Sequence, residues 1–205
     1  MPYAEPNRWD FKPIHLTEKQ IADPLLVIDW FFTEEVDLAD AEKRLANWFQ
    51  ACFSEKCSLT VIDVIVLEEL RNDIVKLMEA GNLLKGQAIN CKLNGDDDLM
   101  NTAHFSNQAS GKNCEWHYFP RHLDRKEYIN PAKVFDRIFQ FKNLPQWRDI
   151  LSDYYSAAVS DCTILECTDG HNIFTGFQLI GKLLEASHLI KVRLIDKNQK
   201  LQQHY

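Results

Sequence analysis

A chain of 205 residues, 45% hydrophobic and 26% charged, is long enough to bury one real core or two small ones. Its formal net charge of −7 supplies no global basic field for phosphate backbones, so nucleic acid is a disfavoured partner. No apolar run approaches the ~18 residues of a membrane span, and seven glycines with seven prolines favour helices over a turn-rich sandwich.

Residues 1–10 read as a loose arm, and the opening MPYAEPNRWDF has neither a basic region nor an apolar run, which predicts no export signal. The cysteines of such a chain are expected as reduced thiols, and the predicted location is the cytoplasm. Next comes FKPIHLTEKQIADP, Phe11 to Pro24, which returns as YFPRHLDRKEYINP, Tyr118 to Pro131. Pro13, His15, Leu16, Lys19 and Pro24 fall on Pro120, His122, Leu123, Lys126 and Pro131 at a constant spacing of 107 (131 − 24). Each copy carries a capping box, Thr17 with Gln20 and Asp124 with Glu127, followed by a second helix start at Asp23-Pro24 and Asn130-Pro131.

Three helices follow in each copy. Helix A carries Val27, Ile28, Phe31 and Phe32, matched by Val134, Phe135, Ile138 and Phe139. Helix B carries Leu38, Ala41, Leu45, Trp48, Phe49 and Cys52, matched by Leu144, Trp147, Leu151, Tyr154, Tyr155 and Ala158 at a spacing of 106 (144 − 38). Helix C spans about Val61 to Leu84 and ends in KLMEAGNLLK, nearly repeated as KLLEASHLIK. Gly176 and Gly181 are expected either to weaken the second helix C, by about 1 kcal/mol each, or to allow close packing against it. The alternating runs QAINCKL (Gln87–Leu93) and VRLIDK (Val192–Lys197) read as short strands after each third helix.

The predicted fold is therefore all-α: a tandem duplication of a three-helix unit packed as a compact six-helix body. Residues 1–10 form the arm, 11–93 the first repeat, 94–117 a loop or linker, 118–197 the second repeat and 198–205 a tail. The linker, with GDDDL and SNQASGKN, reads as exposed.

Several residues could carry chemistry. His15 and His122 form a pseudo-symmetric pair, either ligands or acid–base groups, or imidazoles that bond nearby backbone. Asp29 and Asp136 are matching acids within helix A, able in principle to hold a divalent metal or share a proton. Lys76 with Glu79, and Lys182 with Glu185, read as i, i+3 pairs that contact either their own helix or the other repeat. Cys52–Cys57 and Cys162–Cys167 share a C-x4-C spacing, but the duplication places Cys52 on Ala158 and Cys57 on Thr163, which argues against a four-thiolate zinc site. The densest group is His104, Cys114, His117, Arg121 and His122 around the joint between repeats, with His117 and Tyr118 in an extended run. No P-loop, Rossmann glycine pattern, GxSxG or HExxH is present.

No metal or cofactor is implied. The expected function is a non-enzymatic protein-interaction or regulatory module, acting on another protein through the inter-repeat groove or the Asn94–Glu115 loop, with a homodimer compatible. The alternative is a metal-assisted hydrolase or nuclease using His15, His122, Asp29 and Asp136, with His104, His117 and Arg121 as binding candidates. A weaker alternative is a nucleic-acid-associated regulator.

Overall fold

The structure is a computed structural model that describes residues 12–106, 115–167 and 170–195. These residues are mainly helical and contain no β-strand. In chain order the helices are α1 (Glu18–Ala22), α2 (Leu25–Trp30), α3 (Leu38–Cys52), α4 (Val61–Leu84), α5 (Arg125–Ile129), α6 (Lys133–Phe141), α7 (Leu144–Ala158), α8 (Ile164–Cys167) and α9 (Gly170–Ile190). The arm, the tail and Cys114 lie outside the described residues.

The capping chemistry sets the ends. Thr17 and Asp124 each accept the N3 amide while Gln20 and Glu127 reach back, closing both predicted boxes at α1 and α5. Thr60 with Asp63 starts α4, and Asn143 with Gln146 starts α7. The start at Asp23-Pro24 falls one residue later than spacing suggests: Pro24 itself is the cap of α2, and Asp23 accepts the amide of Leu25 at 3.2 Å.

One hydrophobic core runs through α2, α3, α4, α6, α7 and α9. Its packing is crossed, because α3 lies against α7 and α9 while α7 lies against α4. Trp48 and Tyr154 sit at this crossing, with ring centroids 6.4 Å apart, and Phe177 stacks on Tyr154 at 4.4 Å. Trp48 and Tyr154 are fully buried, whereas Phe49 and Tyr155 are only half-buried, so the aromatic face is narrower than the stripes imply.

The glycines of α9 act as close-approach positions. A Cβ at Gly176 would collide with the Tyr154 hydroxyl, and one at Gly181 would lie 2.9 Å from the His122 ring. A different rationale applies to the runs expected as strands. Val192 belongs to a π-turn, Lys191–Ile195, that continues α9 and buries Val192 and Arg193. Arg193 donates to the carbonyls of His104 and Tyr128, which holds the segment to the body without a ladder. Gln87–Leu93 is irregular and turns tightly, with Ile89 N–H donating to the Gln87 carbonyl and Cys91 N–H to that of Ile89, while Leu93 donates to Ile129.

Most described residues of the linker are exposed as expected, residues 107–114 lie outside the described ones, and the exceptions are local. Thr102–His104 forms a 3-10 turn capped by Asn101, and Phe105 is fully buried beside Leu93, Tyr128 and Leu189. Phe119 meets Phe105 edge-on at 5.1 Å. His117 and Tyr118 lie in a 3-10 turn, Glu115–Tyr118, instead of the extended run expected for them.

Candidate functional site

Two glutamates organise the places where the Pro-x-His turns meet the long helices. Glu79 on α4 is fully buried and accepts the amides of Ile14 at 3.1 Å and His15 at 2.9 Å, together with His15 Nδ1 at 3.0 Å. Glu185 on α9 is equally buried. It accepts the amides of Arg121 at 2.6 Å, His122 at 2.9 Å and Leu123 at 2.9 Å, with His122 Nδ1 at 2.8 Å. A buried carboxylate needs this many donors, because desolvation without them would cost several kcal/mol. Burial alone would raise Glu79, but the bonds from His15, Ile14 and Arg148 outweigh it and hold the carboxyl below the ordinary range. The hydrogen bond to Glu185 raises His122 above the usual histidine value, against the opposing effect of burial.

The two arrangements differ in their last partner. Arg148 is the fifth residue of α7, and its Nη2 reaches Glu79 Oε1 at 2.6 Å and the Lys12 carbonyl at 2.6 Å. The fifth residue of α3 is Glu42, which faces Glu185. One buried carboxylate is thus closed by a guanidinium, while the other meets a second acid. Burial, and then the charge of Glu185, push Glu42 up to about 7, only partly offset by the charges of His122 and Arg121. A side-chain contact with Glu185 adds to the rise, while Oε1 is shielded from solvent and has no hydrogen-bond partner among the described residues.

Glu42, His122 and Glu185 offer three ligand atoms within 4.8 Å of one another, and among the described residues no other His, Cys, Asp or Glu group does so. Glu185 is buried next to Glu42 and His122, which line a groove of about 560 Å³ between α3, α9 and the turn at Arg121–His122. Phe49, Phe174 and Phe177 form its aromatic wall, with Phe49 edge-on to both others at 5.6 and 4.8 Å. Lys43, His117 and Arg121 supply its basic side. The corresponding region by α7 is filled differently: the Arg71 guanidinium lies over the Tyr155 ring at 5.0 Å.

The residues singled out in the sequence distribute as follows. His15 and His122 each bond the glutamate of their own half, not backbone carbonyls, and they share no acid. Asp29 pairs with Lys191 at 3.0 Å and accepts from Thr33, and Asp136 takes no part in the three-ligand group. His117 and Arg121 do line the groove with His122, whereas the His104 carbonyl accepts from Arg193. The expected i, i+3 pairs are replaced: Lys76 bonds Asp73 and lies 4.2 Å over Trp30, and Lys182 bonds Glu127, which also holds Arg137 at 2.7 Å. Cys52, Cys57, Cys91 and Cys162 are free thiols. Cys52 donates to the Tyr154 carbonyl, and burial pushes its thiol up to about 12, so it is an inert core residue. His188 is likewise structural, stacked on Tyr118 at 5.5 Å and held neutral by burial.

Glu42 and the groove-lining phenylalanines were not visible as a site in the sequence. Glu79 and Glu185 had left a signal, since they recur inside KLMEA and KLLEA, but neighbouring-residue spacing pointed to lysine pairs instead. No family model, curated protein or solved structure matches this chain.

Proposed function

We propose that the chain is a tandem duplication of a three-helix unit whose two glutamate sites have diverged, and that it is a non-enzymatic binding module working through the open groove of the second. The recurrence of capping boxes, Pro-x-His turns and His–Glu bonds supports the duplication. The observation that carries the binding reading is the replacement of Arg148, which closes one site, by Glu42 beside a groove in the other. A volume of about 560 Å³ suits a small molecule or one or two side chains of a peptide. Phe49, Phe174 and Phe177 favour an apolar or aromatic body, and Lys43, Arg121 and His117 favour an acidic group on it. Phe174 is 53% exposed, which leaves a large apolar face for such a ligand to cover. The free thiols support the cytoplasmic assignment.

The experiment is a two-dimensional NMR titration of the full chain with N-acetylphenylalanine, and separately with its uncharged amide. The acid is expected to perturb the Phe49, Phe174 and Phe177 ring signals, to bind about tenfold more tightly than the amide, worth ~1.4 kcal/mol, and to lose that preference in Lys43→Ala/Arg121→Ala. Equal binding of acid and amide, or shifts confined to residues outside the groove, would overturn the acid-group reading. Titrating the acid as a capped tripeptide separates a peptide ligand, which binds more tightly, from a free small acid, which does not.

A further inference from the structure

We propose that Glu42, His122 and Glu185 form a site for one divalent cation of the class that accepts both imidazole and carboxylate, such as Zn²⁺, Mn²⁺ or Co²⁺. The inference deepens the groove reading and rests on it for the role of the ion, although uptake of the ion requires no organic ligand.

Three observations converge on it. First, one ligand atom from each residue lies within 4.8 Å of the others, and His122 Nδ1 is 2.8 Å from Glu185 Oε1. That separation is compatible with two adjacent ligands each about 2.1 Å from a shared ion. Second, the fold already holds a cation at the matching place of the other half, where the Arg148 guanidinium sits on Glu79 Oε1 at 2.6 Å. Position 42 of α3 and position 148 of α7 are each the fifth in their helices, so the exchange of arginine for glutamate removes one positive charge and adds a negative one beside a fully buried carboxylate. Third, Glu42 Oε1 is an acceptor hidden from solvent with no donor among the described residues. A hidden, unsatisfied carboxylate oxygen next to a second carboxylate costs several kcal/mol unless it is protonated or finds a cation.

The donor set selects the class of ion. Two carboxylates and one imidazole suit Zn²⁺, Mn²⁺ and Co²⁺, whereas Mg²⁺ and Ca²⁺ prefer an all-oxygen shell. Gly181 contributes by letting the His122 ring lie flush on α9, since a Cβ there would come within 3.0 Å of Nε2. Glu185 is oriented by the Arg121, His122 and Leu123 amides, the kind of supporting contact that fixes a metal ligand. Coordination through His122 Nδ1 takes the place of its hydrogen bond to Glu185. Because imidazole and carboxylate ligands bind in their deprotonated forms, uptake of the ion releases to solvent whatever protons they carry. Three protein ligands leave coordination positions open towards the groove, where the acidic group of a bound ligand would join the ion and be flanked by Arg121 and Lys43.

The test uses tag-free, chelator-stripped full-length protein titrated with Zn²⁺ and Mn²⁺ by calorimetry and with Co²⁺ by visible absorption, with Mg²⁺ and Ca²⁺ as controls. The expected result is uptake of a single ion with proton release, weakened about tenfold or more in Glu42→Gln and His122→Gln, since even the loss of an outer-shell partner costs about that much. His15→Gln, in the arginine-closed twin, should bind as wild type does. Paramagnetic Mn²⁺ or Co²⁺ should also selectively broaden or shift the His122 ring signals in the unmutated protein, a readout that survives any variant that misfolds. No uptake of Zn²⁺, Mn²⁺ or Co²⁺ overturns the proposal, as does uptake that is unaffected by Glu42→Gln and His122→Gln or leaves the His122 signals unmoved. Because no organic acid is present, failure of the ligand titration described above and failure of this one are separate outcomes.

Discussion

Arg148→Glu is expected to lower the free energy of unfolding by about 3–5 kcal/mol, the cost of stranding a buried charge. The guanidinium is the only cationic side chain bonded to Glu79 among the described contacts apart from His15, and Glu79 has no exposed surface. Its loss removes a charge-assisted bond of 2.6 Å and a second bond of 2.6 Å to the Lys12 carbonyl. The incoming carboxylate then meets Glu79 as Glu42 meets Glu185, so part of the loss should be recovered in mild acid, where one of the two is protonated. Arg148→Lys should recover less than half of it, because a point charge cannot make both bonds. Urea unfolding followed by far-UV dichroism reads each change; a midpoint within error of wild type for Arg148→Glu would show that the contact does not hold the two halves together.

Trp48→Ala should cost a comparable 3–5 kcal/mol, through lost transfer energy plus the cavity left behind. The indole lies at the crossing of α3 with α7 and α9, 6.0 Å from Phe177 and 6.4 Å from Tyr154, and is 1% exposed. Its Nε1 has no hydrogen-bond partner among the described residues, so the indole N–H is a buried donor already paying its desolvation cost. Trp48→Phe should therefore be far milder, below about 1.5 kcal/mol, because it removes the orphan donor while keeping most of the ring. Equal damage from both substitutions would mean that the N–H, not the volume, is what the site needs.

The elements were legible because their signals are local. Cap spacing at Thr17 and Asp124 and the stripes through Leu38 and Leu144 depend on neighbours within a turn or two, and the helices stand where those signals put them. The runs after each helix C misled because alternation in so few residues cannot distinguish a strand from a helix continuation: Val192 and Arg193 stay helical by burying against the body. The site was hidden for a different reason. The His15 and His122 pair was conspicuous, yet what each bonds lies more than sixty residues away, on Glu79 and Glu185. The decisive contrast between Arg148 and Glu42 arises only because each helix B packs on the long helix of the other half, an arrangement no periodicity encodes. On the sequence alone, Glu42 beside Asp40, Lys43 and Arg44 reads as part of a solvated face; the fold leaves Glu42 half-buried and sets it against Glu185.

The most direct measurement is the unfolding free energy of Glu42→Arg in metal-free buffer at pH 5.5 and pH 8, beside wild type. Glu42 has a folded value of about 7, above the 4.5 of a free glutamate, so the native state keeps its proton to higher pH than the unfolded chain. The Glu42 contribution to wild-type stability therefore falls as pH rises from about 4.5 through 7, and the raised His122 adds to that decline. His188, held neutral by burial, acts in the opposite direction below pH 6.5 and does so equally in the variant. Glu185, His122 and Arg121 are the charged groups acting on Glu42, and all remain in the variant. An arginine at position 42 should bond Glu185 as Arg148 bonds Glu79, raising stability at pH 8 by about 2 kcal/mol, the worth of a hydrogen bond to a charged group, and flattening the decline with pH. A variant less stable than wild type at pH 8, with the same pH slope, would contradict the claim that the two glutamate sites are one design, closed by a cation in one half and left open in the other.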